Sequence, residues 1–252
     1  MQHEQAMSAG PGTGPRTVVV TGGTSGIGAA IGRRFAADGD RVIAVGLPAP
    51  AAAAEEGGGV PGPGWVETVE LDVTHGDALS GFLAGIDELH VLVNAAGTIA
   101  RDEEFDPQTF AHVINVNLTG TMHTCTAART ALARSGGCII NIASMLSYFG
   151  GARVPAYSSS KGGVMQLTKS LAVAWAGEGI RVNAVAPGWI RTGLTQDLQE
   201  NEENSRRIID RTPMRRWGTP SDIAGAVSFL AGPDATFITG AVLAVDGGYL
   251  AC

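Results

Sequence analysis

The chain is poor in the residues that build metal sites and disulfide frameworks. Its 252 residues include three cysteines, an odd number without a Cys-x-x-Cys pair, and five histidines without paired ligand spacing. We therefore expect no disulfide scaffold and no metal site. So few unpaired cysteines are typical of a protein of the reducing cytoplasm.

Positive charge is also scarce. There are 17 Lys and Arg against 24 Asp and Glu, which gives a net charge of −7, and the basic residues form no continuous run. Because a nucleic-acid surface concentrates Lys and Arg to neutralise phosphates, we expect no nucleic-acid partner. Long apolar runs are missing too, so no membrane contact is expected. Residues 1–15 lack the apolar core of a signal peptide and are expected to form a flexible tail.

Glycine and aliphatic residues are abundant. The 36 glycines and the hydrophobic fraction of 44% suit an α/β protein with many tight turns. Short, nearly unbroken apolar runs alternate with longer helix-like stretches, which favours strands that are buried on both faces of a parallel sheet. Seven strands are predicted, at residues 18–20, 42–45, 66–71, 89–93, 138–143, 182–186 and 242–245.

The alternation predicts one α/β domain over residues 16–252, a doubly wound seven-stranded parallel sheet flanked by helices. The low-complexity stretch at residues 47–64 is expected to be an exposed connection after the second strand. It does not divide the domain, because strands and helices continue to alternate after it.

A glycine-rich loop at residues 21–28 directly follows the first predicted strand and precedes a helical stretch. Glycines at such a turn let a pyrophosphate approach the backbone, and the helix N-terminus attracts its negative charge. An ordinary strand-to-helix turn is the alternative. The strand before the loop and the helix after it favour a dinucleotide site.

Tyr157 and Lys161 lie four residues apart, so both side chains project from one helix face. A free phenol titrates near pH ~10, and a neighbouring ammonium favours the phenolate that acid/base chemistry near neutrality requires. Ser144 lies upstream, at the predicted end of a strand. Taken singly, Ser144 would more often be a capping serine and Tyr157 a half-buried tyrosine. Together with Lys161 and the glycine loop, they favour catalysis.

With these motifs the chain resembles the short-chain dehydrogenase/reductase family over nearly all of residues 17–248. The matching motifs are the loop glycines Gly22, Gly26 and Gly28, then Asp72-Val73, Asn94-Ala95-Ala96-Gly97, Asn117, Ser144, Tyr157 with Lys161, and residues 187–192. The resemblance implies a Rossmann fold and an NAD(P)-dependent oxidoreductase acting on a ketone or secondary alcohol. Ala95 departs from the family, which commonly has a second asparagine there.

The resemblance also implies a cofactor site. Its expected members are Gly22, Thr24, Ser25, Gly26, Ile27, Gly28, Gly46, Leu47, Asp72, Val73, Asn94, Ala95, Ala96, Gly97, Tyr157, Lys161, Pro187, Gly188, Ile190 and Thr192. Asp72 would accept from the adenine amino group, with a turn aspartate as the alternative, and Thr192 would help to fix the nicotinamide carboxamide.

The implied catalytic residues are Asn117, Ser144, Tyr157 and Lys161. Ser144 would hydrogen-bond the substrate oxygen and Tyr157 would exchange its proton. Lys161 would hold the nicotinamide ribose and lower the pKa of Tyr157. Asn117 would support a water chain from Lys161 to solvent; the alternative is a helix kink stabilised by its amide.

NAD(H) is favoured over NADP(H), which remains an alternative. Dinucleotide folds that select NAD carry an acid at the end of the second strand. Here Val45-Gly46-Leu47 offers neither an acid nor a base. No group therefore pairs an added 2′-phosphate, unless Arg16 or Arg41 reaches it.

The substrate pocket is expected to be mostly apolar, with a neutral ketone or secondary alcohol as the best fit. Its predicted residues are Met145, Leu146, Tyr148, Phe149 and Trp189, with Ser147 and Arg153 as polar discriminators and residues 194–217 as a lid. The runner-up substrate is a 3-oxoacyl thioester with NADPH, recognised by Arg206, Arg207, Arg211, Arg215 and Arg216. A solvated helix face paired with Glu200, Glu202 and Glu203 explains that run better.

Two further hypotheses concern assembly and turnover. The resemblance implies a homotetramer, or a homodimer, joined through the helix of Tyr157 and the C-terminal region. Val164, Leu167, Leu171 and Trp175 would serve that contact or the core. A dinucleotide-binding sensor without turnover is the non-enzyme alternative, and the intact set at 117, 144, 157 and 161 disfavours it.

Overall fold

The computed structural model describes residues 14–48 and 66–252, and it shows the predicted α/β architecture. In this part of the chain seven parallel strands form one sheet, in the order β3-β2-β1-β4-β5-β6-β7. The strands are β1 Thr17–Thr21, β2 Arg41–Gly46, β3 Val66–Glu70, β4 Val91–Asn94, β5 Cys138–Ile142, β6 Arg181–Pro187 and β7 Val242–Val245. All seven predicted strands are present, with ends that differ by at most two residues.

Helices cover both faces of the sheet. They are α1 Gly26–Ala37, α2 Gly76–Ala84, α3 Pro107–Ile114, α4 Gly120–Ser135, α5 Pro155–Trp175, α6 Gln196–Glu200, α7 Glu202–Arg211 and α8 Pro220–Ala231. Because side chains alternate along a strand, Val18 and Val20 pack with α1 and α8, whereas Val19 packs with α2, α4 and α5. The two apolar cores explain why the central strands read as continuous hydrophobic runs.

The chain crosses from one face of the sheet to the other between β1 and β4, which are hydrogen-bonded neighbours. In a doubly wound sheet the loops after such strands diverge and leave a crevice at the carboxyl edge, where ligands bind. The glycine loop after β1, the 95–106 loop after β4 and Ser144 after β5 all lie at this edge. The topology therefore brings together motifs that are 120 residues apart.

A turn of π-helix, Asn115–Thr119, joins α3 to α4 and holds Asn117 at its centre. Asparagine has poor helix propensity, and π-turns occur mostly where a functional side chain must be presented. The helix irregularity anticipated at this asparagine is thus present. Residues 1–13 of the predicted tail, and most of the predicted connection at 47–64, lie outside the described residues.

Candidate active site

The loop between β1 and α1 is packed so closely that its glycines are required. Gly22 has φ +65°, and a Cβ there would lie 2.6 Å from the Ala96 nitrogen. A Cβ on Gly28 would lie 2.1 Å from the Gly22 oxygen. The bare backbone and the N-terminus of α1, which follows Ser25, fit the pyrophosphate of a dinucleotide.

A cleft of about 460 Å³ opens beside this loop. The predicted cofactor residues that line it are Gly22, Thr24, Ser25, Gly26, Ile27, Gly28, Ala95, Gly97, Tyr157, Lys161, Pro187, Gly188, Ile190 and Thr192. Ser144, Met145, Leu146 and Trp189 line it as well. The structure thus brings the phosphate loop, the Ser144, Tyr157 and Lys161 set and part of the predicted substrate pocket into one cavity.

Ser144 lies two residues after β5 and caps the short helical turn Met145–Ser147. Its Oγ accepts a hydrogen bond from the Leu146 N–H at 3.1 Å. One acceptor position is used in this way, so the hydroxyl proton is available for donation toward Tyr157 or a substrate oxygen. The cap fixes the hydroxyl that the chemistry needs.

Lys161 is buried, with 4% of its surface exposed, one turn below Tyr157 on α5. Its Nζ donates to the Ile142 carbonyl at 2.7 Å and lies 5.6 Å from the centre of the Tyr157 ring. Burial lowers the pKa of Lys161 to about 8. The ammonium is therefore held under the phenol by the last residue of β5.

The pKa of Tyr157 is raised, which differs from the expectation that Lys161 lowers it. Burial is the largest cause and Glu104 adds to it, while a hydrogen bond from Ser144 and the charge of Arg101 act in the opposite direction. Desolvation of the phenolate outweighs the hydrogen bond from Ser144 and the charge of Arg101, so the net pKa is raised.

Asn117 is fully buried and ties α5 to the loop after β4. Its Oδ1 accepts from the Thr98 N–H at 2.8 Å, and its Nδ2 donates to the Thr98 carbonyl and the Ser160 hydroxyl. A Cβ built on Gly97 would lie 3.4 Å from Asn117 Oδ1 and 3.6 Å from Lys161 Nζ. The two side chains therefore flank the same glycine, and the proposed water chain stays a prediction.

Six predicted cofactor residues lie outside the lining of this cleft. Gly46 and Ala96 pack beside Thr24 and Gly22, and Leu47 is exposed at the end of β2. Val73 is buried after β3. The Asn94 amide donates to Asn141 at 2.9 Å inside the sheet, so its side chain supports the strands.

Asp72 forms a turn of its own, as the alternative reading anticipated. Its Oδ1 accepts from the Thr74 N–H and hydroxyl, both at 2.8 Å. Burial raises the pKa of Asp72, but these bonds outweigh it and the net pKa is lowered. A role toward adenine stays a prediction.

Four predicted substrate contacts lie outside the lining of the cleft, and one charged residue was missed. Tyr148 is exposed, Phe149 stacks on Tyr249, and the Ser147 hydroxyl donates to the Lys161 carbonyl. Arg153 is exposed and paired with Asp102. None of the four lines the cleft.

Arg101 does line the cleft, and its Nη1 donates to the Leu194 carbonyl at 2.8 Å across the opening. Burial lowers the pKa of Arg101, and the interaction with Tyr157 opposes that shift. The signal was present in the sequence, because Arg101 follows β4 and every carboxyl end meets at this edge of the sheet.

Arg16 and Arg41 lie at the opposite edge of the sheet. Arg16 precedes β1, pairs with Asp40 at 2.6 Å and donates to the Ala231 carbonyl. Arg41 begins β2, about five residues or roughly 16 Å from Gly46. The suggestion that either arginine reaches a 2′-phosphate is therefore wrong.

The arginine run between residues 206 and 216 is largely engaged, although not with the predicted glutamates. Arg215 pairs with Asp210 and Arg216 with Asp222. Arg211 lies over the Tyr249 ring at 4.3 Å. These three guanidinium groups have partners within the chain, which weakens their assignment to a phosphopantetheine arm.

Within residues 14–48 and 66–252, no group of three or more His, Cys, Asp and Glu side chains is placed to hold a metal ion. In the same ranges, none of the helices combines the length and apolarity that crossing a bilayer demands.

A phosphate cradle that opens onto a hydroxyl, a phenol and an ammonium suits one class of chemistry, the transfer of hydride between a nicotinamide dinucleotide and a carbonyl or alcohol. A family model described as Enoyl-(Acyl carrier protein) reductase matches residues 22–250. The chain belongs to the short-chain dehydrogenase/reductase family, so the resemblance found in the sequence is confirmed.

Three similar proteins illustrate the relationship. The chain is 40% identical to 2-dehydro-3-deoxy-D-gluconate 5-dehydrogenase of Bacillus subtilis (93% of this chain and 94% of that protein covered). It is 41% identical to galactitol 2-dehydrogenase (L-tagatose-forming) of Cereibacter sphaeroides (91% and 93% covered). A candidate 2-deoxy-D-gluconate 3-dehydrogenase from Agrobacterium tumefaciens, solved with bound NADP, has a TM-score of 0.84 at 39% identity (95% and 98% covered).

The protein is therefore an NAD(P)-dependent oxidoreductase acting on alcohol or carbonyl groups. The alternative of a sensor without turnover is not supported.

Proposed function

We propose that the protein interconverts a hydroxyl and a keto group on a sugar acid, with Tyr157 exchanging the proton. The observation that carries the substrate class is Arg101, whose guanidinium lines the cleft and interacts electrostatically with Tyr157. A guanidinium binds a carboxylate through paired, charge-assisted hydrogen bonds. The gluconate-type substrates named for two relatives carry such a group.

The described residues divide the chemistry between them. A nicotinamide dinucleotide bound at the glycine loop supplies or accepts the hydride. Ser144 donates a hydrogen bond to the substrate oxygen, and the Tyr157 hydroxyl gives that oxygen its proton in reduction or takes it in oxidation. Lys161, whose Nζ is held by the Ile142 carbonyl, would hold the nicotinamide ribose. Asn117 keeps the loop around Gly97 in place.

A paired substrate assay tests the substrate class. We expect a sugar acid such as 2-dehydro-3-deoxy-D-gluconate to give at least a tenfold higher kcat/KM than a neutral polyol such as galactitol, since tenfold corresponds to about 1.4 kcal/mol. Equal or greater efficiency with the polyol would refute the sugar-acid assignment. A 3-oxoacyl thioester in the same panel addresses the runner-up; we expect it to be a poor substrate.

For the cofactor, NAD(H) remains our proposal. Gly46 and Leu47 provide no cation, and residues 47–65 contain neither Arg nor Lys. The NADP bound in the Agrobacterium tumefaciens structure favours the alternative, NADP(H). Arg33 lines the cleft, so its substitution tests whether this cation binds the 2′-phosphate of NADP(H).

Steady-state kinetics with both cofactors decide this point. We expect kcat/KM with NADH to exceed that with NADPH by about tenfold or more. Preference for NADPH would overturn the proposal. A selective loss of NADPH efficiency in Arg33→Gln would then identify the side chain that binds the 2′-phosphate.

We further propose a homotetramer of a cytoplasmic protein, with a homodimer as the alternative. Val164, Leu171 and Trp175 are core residues, and Leu167 packs against them, so they do not supply the contact. Large apolar side chains are instead exposed on α5, α8 and the C-terminal region: Val173, Phe229, Phe237 and Leu243. Light scattering should give a mass near four chains; a monomer would refute the assembly. Three free cysteines agree with a reducing cytoplasm.

A further inference from the structure

Glu104 is a buried carboxylate that interacts electrostatically with Arg101 but forms no ion pair with it. It is 0% exposed, whereas Asp40, the other buried carboxylate among the described residues, is neutralised by Arg16. Within the described ranges no lysine or arginine lies in ion-pair contact with Glu104. A buried charge of this kind is costly unless hydrogen bonds stabilise it, so its partners explain why it is retained.

Both partners of Glu104 are backbone groups of the active site. Oε2 accepts from the Tyr157 N–H at 2.8 Å, and Oε1 accepts from the Ala100 N–H at 3.0 Å. Tyr157 is the third residue of α5, and the residue at the N-cap, Val154, has no capping side chain. Glu104 therefore caps the catalytic helix from a distant loop, where the helix dipole also favours its negative charge.

The same carboxylate holds the residue next to Arg101. Ala100 directly precedes Arg101, so one buried side chain connects the residue before the cleft arginine to the backbone of the proton donor. We propose that Glu104 is a positioning residue for hydride transfer, which fixes Tyr157 relative to Arg101 by joining the first turn of α5 to the loop after β4. The proposal rests on the role of Tyr157 given above.

The charge of Glu104 offers a second readout. The groups that act on the Tyr157 phenol are Ser144, just after β5, and Arg101 and Glu104 from the loop after β4, while Lys161 on α5 lies 5.6 Å from the ring centre. Glu104 raises the pKa of Tyr157 and Arg101 lowers it. Removing the carboxylate charge leaves the effect of Arg101 unopposed, so phenolate forms at lower pH.

The experiment compares Glu104→Gln, which removes the charge, with Glu104→Asp, which keeps the charge but shortens the side chain. We expect both to lower kcat between about tenfold and 100-fold, the effect of a small misplacement at the reacting centre. KM for the cofactor should stay unchanged. In alcohol oxidation, the rising limb of kcat/KM against pH should move to lower pH in Glu104→Gln and stay in place in Glu104→Asp.

Asp102→Asn is the matched control. Asp102 lies in the same loop and pairs with Arg153, just before α5, but both side chains are exposed. Asp102 has φ +69°, a conformation that asparagine tolerates. Because exposed ion pairs contribute little, we expect wild-type kcat and an unmoved pH profile.

The proposal would be overturned if both Glu104 variants showed wild-type kcat and an unshifted rising limb of kcat/KM against pH, whatever their thermal stability. If Glu104→Gln does not fold, Glu104→Asp decides: a loss of kcat supports the proposal and wild-type kcat overturns it. Turnover by Tyr157→Phe would instead refute the role of Tyr157. If that variant is inactive while the Glu104 variants behave as wild type, only the present inference fails.

Discussion

The floor and the rim of the cleft are held by different kinds of contact. On the floor, defined here as Asn117, Ser144, Tyr157 and Lys161, the residues lie on α5, on the π-helical turn or just after β5. The side chains of Asn117, Ser144 and Lys161 hydrogen-bond to backbone groups, as Lys161 does to Ile142 in β5. On the rim, defined as Arg101 and residues 194–217, an arginine in one loop reaches the Leu194 carbonyl in another. We infer that the floor fixes the reaction while the rim selects the molecule that undergoes it.

The largest effect should come from the floor. Tyr157→Phe removes the proton donor and keeps the ring, so we expect kcat to fall by about 10³-fold, within the range for a lost general acid or base. Cofactor binding, followed by fluorescence titration, should remain near wild type. Substantial turnover in this variant would contradict the assignment of chemistry to the floor.

The lowered pKa of Lys161 should make the stability of the protein depend on pH. Its pKa is about 8 in the folded chain against 10.5 as the ordinary value, so between these two pH values the unfolded chain binds the additional proton. Stability from this group therefore rises with pH, by at most about 3 kcal/mol.

Urea unfolding from pH 8 to 10 measures this effect, with Lys161→Met as the reference that lacks it. The raised pKa of Tyr157 acts in the opposite direction, since its contribution is lost as pH rises past 10. Parallel pH profiles for the two proteins would show that the lysine is not desolvated as the floor requires.

Arg101 tests the rim. Arg101→Met removes a hydrogen-bond donor to a charged group, so we expect kcat/KM for a sugar acid to fall by about tenfold to 100-fold, and that for a neutral polyol to change little. Both should be measured on the plateau of the pH profile, because Arg101 also affects the pKa of Tyr157. Arg153→Met, an exposed arginine outside the cleft, is the control. Equal losses of kcat/KM for both substrates would mean that Arg101 acts in the reaction itself and does not select the substrate.

The same contrast explains what the sequence allowed us to predict. The glycine loop and the Tyr157 and Lys161 pair are local patterns, in which spacing along one turn or helix decides the geometry. The apolar runs likewise predicted the five central strands of the described sheet, because burial on both faces leaves little choice of residue.

Contacts between segments that are far apart in the sequence could not be predicted in this way. Glu104 and Tyr157 are 53 residues apart, and Arg101 and Leu194 are 93 apart, so only the folded chain brings each pair together. The error over Arg41 has a different origin. Its position at the start of β2 places it at the amino edge of the sheet, and strand direction alone would have excluded it from the cofactor site.

The smallest effect should appear where the rim is anchored to the rest of the domain. The Asp222 carboxylate accepts from the Thr219 N–H at 2.7 Å, which caps α8, and from Arg216 at the end of the 194–217 segment. The bond from Arg216 holds the pKa of Asp222 well below its usual range. Stability from this group is therefore present above the unfolded pKa and is lost as the solution is acidified.

Asp222→Asn should lower the free energy of unfolding by about 1 kcal/mol at pH 7, the typical value of a helix cap, with kcat unchanged. Urea unfolding and steady-state assays measure the two quantities, and Asp87→Asn, at a fully exposed side chain, is the control. A fall in kcat without a loss of stability would mean that this anchor positions the reacting groups, and the separation of floor from rim would then fail at α8.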